Sequence, residues 1–318
     1  MRRTLITGGT GFVGTHLVRL LHAQEAQIVV LASGHEFPSP GPGVQFQRVD
    51  IRKTDDVRSV VREFRPTEIY HLAGISSISL SWQNPSLTFE VNVLGTYNLF
   101  EAGMSLVTPP RILNVSTAHV YAPSASVLTE TSLVGPSNPY SASKAMSELL
   151  SVQYSKAPSG GVITVRSFNH SGPGQRPDFV LSSMAKQFAE ITLGLRLPKL
   201  VAGNIDVIRD FTDVRDVVRG YVALLEKARI GEVYNLCSGC GARLADIIQK
   251  FELISRTAVV LETDPGRLRS GDVPTIVGDS AKIRRETGWT PHIPLEKTIR
   301  DLWDYWRVKA KCEGSEVV

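Results

Sequence analysis

Short apolar runs alternate with amphipathic stretches through the first two-thirds of the chain. Thr4–Thr7, Gln27–Ala32, Val44–Val49, Glu68–Leu72, Arg111–Ser116 and Val162–Arg166 are rich in aliphatic and β-branched residues and predict strands. Helical spacing of apolar positions predicts helices over Val13–Ala23, Thr54–Phe64, Pro85–Met104 and Tyr140–Tyr154. Strands alternating with helices imply a doubly wound parallel sheet covered on both faces, an α/β fold. After about Gly172 the pattern loosens into longer connections, helices over Phe179–Leu193, Val214–Ala228 and Leu244–Ile254, and short strands such as Glu232–Leu236. A first domain over 1–170, with some later segments returning to it, and a smaller α/β domain mainly over 171–318 are therefore expected.

Composition narrows the class. The 318 residues are 42% hydrophobic and 21% charged, ordinary for a chain that buries a substantial core. No apolar run reaches the roughly 18 residues of a membrane span. Met1-Arg2-Arg3 leads directly into Thr4-Leu5-Ile6-Thr7 without the apolar segment of a leader, so a cytoplasmic protein without membrane contact is expected. Three cysteines cannot form a disulfide framework, in keeping with a reducing compartment. Cys237 and Cys240 form a Cys-x-x-Cys with no second Cys/His pair at matching spacing, which argues against structural zinc; two small buried residues flanking a turn are expected instead. The net charge is +4 and the pI 9.0. Lys and Arg are scattered among Asp and Glu, so nucleic acid is not an expected partner, and the mild positive excess suits a diphosphate-bearing ligand.

Thr7-Gly8-Gly9-Thr10-Gly11-Phe12-Val13-Gly14 stands between the first strand and the first helix. There a dinucleotide pyrophosphate meets backbone N–H groups at a positive helix end. Gly8 makes the turn, Gly11 lets the backbone approach the phosphates, Gly14 lets the helix pack on the strand, and Phe12 and Val13 supply amides. A tight strand-to-helix connection needs similar residues, but the position at the first βα junction favours a cofactor and a Rossmann domain. The second strand ends Leu31-Ala32-Ser33-Gly34-His35, without the acid that selects NADH by binding ribose hydroxyls. A 2′-phosphate meets no repulsion there, so NADPH, or dual use with NADH, is expected. No arginine clamp is evident at that spot, where Ser33 is the candidate contact. Asp50 and Ile51 are placed to meet the adenine, and Leu72-Ala73-Gly74 to line the cleft.

Tyr140-Ser141-Ala142-Ser143-Lys144 opens a helix, with Tyr140 and Lys144 one turn apart on one face. An ammonium beside a phenol favours phenolate and is expected to lower the Tyr140 pKa from about 10 toward neutrality. Val115-Ser116-Thr117-Ala118-His119-Val120-Tyr121 ends the preceding strand and offers the Thr117 hydroxyl across the cleft.

Together, the glycine loop, the Ser-Thr-x-x-Val-Tyr strand end and the Tyr-x-x-x-Lys helix resemble the extended short-chain dehydrogenases/reductases acting on nucleotide sugars. Arg166-Ser167-Phe168-Asn169-His170-Ser171-Gly172-Pro173-Gly174-Gln175, Arg209-Asp210-Phe211-Thr212-Asp213-Val214-Arg215-Asp216 and Arg269-Ser270-Gly271-Asp272-Val273-Pro274 resemble the GDP-mannose 4,6-dehydratase group. Within that group the chain looks most similar to the GDP-4-keto-6-deoxy-D-mannose reductases that form GDP-D-rhamnose. The resemblance spans nearly the whole chain. It implies Thr117, Tyr140 and Lys144 as catalytic residues. Arg209 and Arg269 are implied as diphosphate clamps. Asn169 is implied near the diphosphate or sugar, Lys186 near the guanine, Asp272 near the ribose, and Ser76 and Ser77 facing the hexose. Dehydratases of the group carry Thr-x-Glu at the strand end, where the Glu removes the C5 proton. His119 occupies that place here, which implies simple reduction of a keto group. A His also serves as acid or base, so dehydration stays the alternative, with an epimerase or a non-catalytic dinucleotide sensor as further readings. Relatives pair through helices corresponding to Pro85–Met104 and Tyr140–Tyr154, which implies a homodimer.

Overall fold

The computed structural model describes residues 2–24, 26–34, 41–155, 161–267 and 273–315. The first half runs β1 (Arg3–Thr7), α1 (Phe12–His22), β2 (Gln27–Ala32), β3 (Val44–Arg48), α2 (Thr54–Phe64) and β4 (Glu68–His71). Two short helices follow, α3 (Ile78–Gln83) and α4 (Pro85–Phe89), then a π-helical turn over Glu90–Leu94, α5 (Gly95–Met104), β5 (Arg111–Thr117), α6 (Pro139–Tyr154) and β6 (Gly161–Ser167). Beyond it come β7 (Asn169–Ser171), α7 (Val180–Thr192), β8 (Lys199–Ala202), β9 (Ile208–Asp213), α8 (Val214–Lys227) and β10 (Val233–Leu236). The chain ends with β11 (Gly241–Arg243), α9 (Leu244–Ser255), β12 (Val260–Thr263), β13 (Thr275–Ile276), α10 (Ala281–Thr287) and α11 (Leu295–Ser315).

Seven parallel strands form the main sheet in the order β10-β6-β5-β4-β1-β2-β3, the expected α/β architecture of a Rossmann fold. Both faces are covered, which is why β6 is buried at every position. On one face Ile6, Ile28, Val30 and Leu113 pack against Leu17, Val18 and Leu21 of α1 and Val217 and Tyr221 of α8. On the other, Leu5, Val29, Leu31 and Ile112 pack against Val57 and Val61 of α2 and Leu99 and Phe100 of α5. Thus α8 and β10, from the second half, complete the first sheet. A separate cluster joins α7, α9 and α11 through Phe188, Phe251, Ile299, Leu302 and Trp306. Beside it, β9 pairs with β7, β11 and β13 in a small mixed sheet, and β8 pairs with β12.

The expected helix over Pro85–Met104 is instead three segments. Pro85 restarts the chain after Asn84, whose side chain caps α4 by accepting from the Leu87 amide at 3.2 Å, and the π turn then shifts the helical phase before α5. A second correction concerns the cysteines: Cys237 is buried, but Cys240 is exposed. The helix α11 had no sequence expectation, although Ile299, Leu302, Trp306 and Ala310 bury one stripe of it.

α6 is inverted relative to an ordinary surface helix. Its buried face is Tyr140, Ser141, Ser143, Lys144, Ser147, Glu148 and Ser151, while Met146, Leu149 and Val152 are exposed. The polar face docks on β5 and β6 through specific bonds. Asn114 donates to Ser151 Oγ at 2.8 Å, Ser116 donates to Glu148 Oε1 at 2.5 Å, and Arg166 forms a buried ion pair with Glu148 at 2.7 Å. Arg166 also lies 4.6 Å over the Tyr121 ring. Breaking a buried ion pair strands an uncompensated charge. Glu148→Ala is therefore expected to cost about 3–5 kcal/mol in urea unfolding, and the double variant Glu148→Ala/Arg166→Met less.

Candidate active site

Asn138 starts α6 with a capping box. Its side chain accepts from the Ser141 amide at 2.9 Å, its own amide donates to Ser141 Oγ at 3.2 Å, and Pro139 fixes the first turn. Tyr140 is thereby set in the first turn, opposite the end of β5. The Thr117 hydroxyl faces Tyr140 closely enough to lower its pKa, and the His119 ring meets Tyr140 edge-on at 6.5 Å between centroids. One turn on, Lys144 Nζ donates to the Val115 carbonyl at 2.7 Å.

The electrostatics differ from the sequence expectation at Tyr140. Burial raises its pKa, and the Thr117 hydroxyl only partly offsets this. The Lys144 ammonium reaches back to Val115, so the phenol stays a proton donor. Lys144 itself is lowered to about 8, chiefly by burial, with the Glu148 charge opposing the shift.

The cofactor side is built around β1. Gly8 has φ of 69°, and a Cβ there would stand 2.8 Å from the Ala73 amide nitrogen. A Cβ at Gly14 would stand 2.5 Å from the Gly8 carbonyl oxygen. Both positions therefore require glycine. Gly11 opens α1 without any side-chain cap, leaving the first-turn amides of Phe12, Val13 and Gly14 for an anion. These residues fit a dinucleotide pyrophosphate. Leu72 and Ala73 are half-buried and Gly74 is exposed on the adjoining turn. A Cβ at Gly74 would be 3.5 Å from Lys144 Nζ, so this turn joins the glycine loop to the Tyr140 side.

A buried chain of bonds beneath the turn had no counterpart in the sequence reading. The Ala73 amide donates to Thr7 Oγ1 at 3.1 Å, Thr7 pairs with His71 Nδ1 at 2.8 Å, and His71 Nε2 pairs with Thr96 Oγ1 at 2.8 Å. Thr96 donates to the Asn92 carbonyl at 2.6 Å. That order of donors assigns the His71 proton to Nε2, with Nδ1 accepting from Thr7. Asn92, turned inward by the π segment, accepts from the Ile75 amide at 2.8 Å and donates to Ser143 Oγ at 2.9 Å. Only the phase change at residues 90–94 aims Asn92 this way, and a regular helix pattern hides it.

The other expected contacts are dispersed. Ser33 is exposed at the end of β2, Asp50 is chelated by Arg52 at 2.7 Å, and Ile51 is buried against Gly95. Arg52 holds the Asp50 carboxyl below its usual range. Ser76 is exposed, whereas Ser77 caps α3 by accepting from the Leu80 amide at 3.2 Å. Asn169 begins β7 beside Phe211, and the next residue, His170, stacks on Phe12 at 6.2 Å. Arg209, in the neighbouring β9, is buried and donates to the Ile208 carbonyl at 2.9 Å. Lys186 lies on α7, 3.6 Å from Glu190 and 5.5 Å from the Trp306 ring, in the cluster shared with α11. Arg269 and Asp272 lie outside the described residues.

The family model for GDP-mannose 4,6 dehydratase matches residues 5–302. The chain belongs to that family. Among curated members of the wider group, GDP-6-deoxy-D-mannose reductase of Pseudomonas aeruginosa is 32% identical over 315 residues, covering 98% of this chain and 99% of that protein. The structure of RMD from the same organism complexed with NADPH superposes with a TM-score of 0.85 at 31% identity, covering 97% of this chain and 100% of that one. The Thermus thermophilus UDP-glucose 4-epimerase complex with NAD superposes at 0.83 with 31% identity, covering 96% and 99%. This GDP-mannose 4,6 dehydratase family member is thus an NAD(P)-dependent nucleotide-sugar enzyme with a Rossmann fold.

The buried His71 makes its stability pH-dependent. Burial, reinforced by the Lys144 charge, lowers its pKa from 6.5 to about 3. Protonation therefore favours the unfolded chain, and stability is lost as pH falls below about 6.5. Between pH 7 and 5 the wild type is expected to lose about 2 kcal/mol more than a His71→Gln variant, measured by urea unfolding at each pH.

Proposed function

We propose that this chain reduces the C4 keto group of GDP-4-keto-6-deoxy-D-mannose to GDP-D-rhamnose, with NADPH or NADH as reductant. The observation that carries this reading is the end of β5, where the Thr117 hydroxyl faces Tyr140 and His119 stands where dehydration needs a carboxylate. The nearby acids are already engaged: Glu148 by Arg166 and Ser116, and Glu130 by the Asn235 amide at 2.9 Å. Neither substitutes as the base that would remove a C5 proton.

The bound nicotinamide supplies the hydride that adds to C4. Tyr140, kept protonated by burial, gives its proton to the C4 oxygen. Thr117 donates a hydrogen bond to the same oxygen as negative charge grows there. The Lys144 ammonium, beside the Gly74 turn, holds the nicotinamide ribose. The amides of Phe12, Val13 and Gly14 hold the cofactor pyrophosphate, with Leu72, Ala73 and Gly74 lining the cleft and Asp50 and Ile51 at the adenine. Arg209 and Arg269 hold the substrate diphosphate with Asn169, Ser76 and Ser77 face the hexose, and Lys186 and Asp272 serve the nucleoside. The relative named GDP-6-deoxy-D-mannose reductase supports this choice of substrate.

The test is to mix the protein with GDP-4-keto-6-deoxy-D-mannose and NADPH or NADH, follow cofactor oxidation and identify the product by NMR. Stoichiometric oxidation with GDP-D-rhamnose formed is the expected result. Formation of the keto-sugar from GDP-mannose without added reductant would make the chain a dehydratase instead. Tyr140→Phe is expected to lower kcat by roughly 10²–10⁴-fold with little change in cofactor affinity.

The same reading includes a cytoplasmic homodimer. Leu94 of the π turn, Tyr97 of α5 and Met146, Leu149 and Val152 of α6 expose apolar surface on neighbouring packed segments, where a second copy buries it. Leu149→Asp is expected to shift the molar mass by light scattering from that of two chains to that of one; a wild type already at one chain would sink the dimer. The described residues contain no helix long and apolar enough to cross a membrane.

A further inference from the structure

Arg48 is distant in sequence from the end of β2, and nothing in the spacing links the two. The parallel register pairs Arg48 of β3 with Ala32 of β2, side by side at the carboxyl ends of their strands. Neighbouring strands lie about 4.8 Å apart, so these residues are lateral neighbours. They also share a face. Ile28 and Val30, in phase with Ala32, and Val44 and Phe46, in phase with Arg48, all pack toward α1. Residue 32 closes the second strand, the place from which an acid binds the adenosine ribose in NADH-selective sites.

We propose that Arg48 grips the 2′-phosphate of NADPH and sets a preference for NADPH over NADH, a proposal that rests on the NAD(P)H-dependent reading above. Three observations support it. Arg48 is exposed, and among the described residues its side chain has no hydrogen-bond or ion-pair partner, so its guanidinium is available to an anion. Ala32 removes the carboxylate that would repel a phosphate, and the exposed Ser33 hydroxyl adds a donor beside it. Asp50, the next acid along from Arg48, is already neutralised by Arg52, which also reaches Glu90 at 2.9 Å. A guanidinium matches a phosphate with paired charge-assisted bonds, which no ribose hydroxyl reproduces.

Equilibrium binding tests this without any sugar substrate, so its outcome is separate from the reaction assigned above. NADPH and NADH are titrated by their fluorescence into wild type, Arg48→Ala and Ala32→Asp, with 2′,5′-ADP as a competing probe. The wild type is expected to bind NADPH more tightly than NADH. Arg48→Ala is expected to weaken NADPH and 2′,5′-ADP by about tenfold or more and to leave NADH within about twofold. Arg48→Lys restores part of the loss, and Ala32→Asp reverses the preference. An Arg48→Ala variant that folds normally by circular dichroism but weakens both cofactors equally, or neither, overturns the proposal. So does a wild type that binds NADH as tightly as NADPH.

Discussion

The site depends on how α6 is bolted to β5 and β6. A helix on a parallel sheet normally docks through aliphatic side chains that tolerate small slides. Here the contact is a row of serines with Glu148, bonded to Asn114, Ser116 and Arg166. Directional bonds with a buried ion pair favour one register, because a shift leaves several polar groups unpaired in a buried interface. That register brings Tyr140 to Thr117 and Lys144 to the Val115 carbonyl. The same inversion puts Met146, Leu149 and Val152 outside, so the polar docking that positions the site also creates an apolar surface.

The cofactor half is held by a second constraint, the glycine loop against the turn after β4. Gly8 touches Ala73 closely enough to exclude any side chain, and the Thr7–His71–Thr96 chain fixes that turn from beneath. His71 stays neutral because burial and the Lys144 charge both oppose its protonation. A neutral imidazole with one donor and one acceptor is what links two threonines in series. Asn92 then ties the turn to Ser143 of α6, so the two halves of the site share one bonded framework.

In the proposed reduction the site acts as a proton donor rather than a base. Burial raises Tyr140, and the nearby carboxylates are held in ion-pair or amide contacts. Reduction of a ketone needs a proton delivered to oxygen; elimination needs one removed from carbon. The arrangement around His119 suits the former.

Much of this was legible in the sequence, because it depends on local spacing. The strand–glycine–helix junction, the Tyr140–Lys144 turn and the apolar runs of the parallel sheet follow from periods of two and 3.6 residues and from glycine's steric freedom. The expected helices α1, α2, α6, α7, α8 and α9 stand within one or two residues of their predicted bounds. The tertiary structure decided what no local period encodes. Whether the Tyr140 pKa rises or falls depends on burial, and the expectation from Lys144 alone had the wrong direction. Asn92 faces the site only because a π turn rotates it, and α11 was obscured by its charged outer face. Arg48 meets Ala32 only through strand register, a contact made across 16 residues of chain by hydrogen bonds between backbones. Pairing across a sheet is set by the whole fold, and it leaves no mark in the spacing of the residues it brings together.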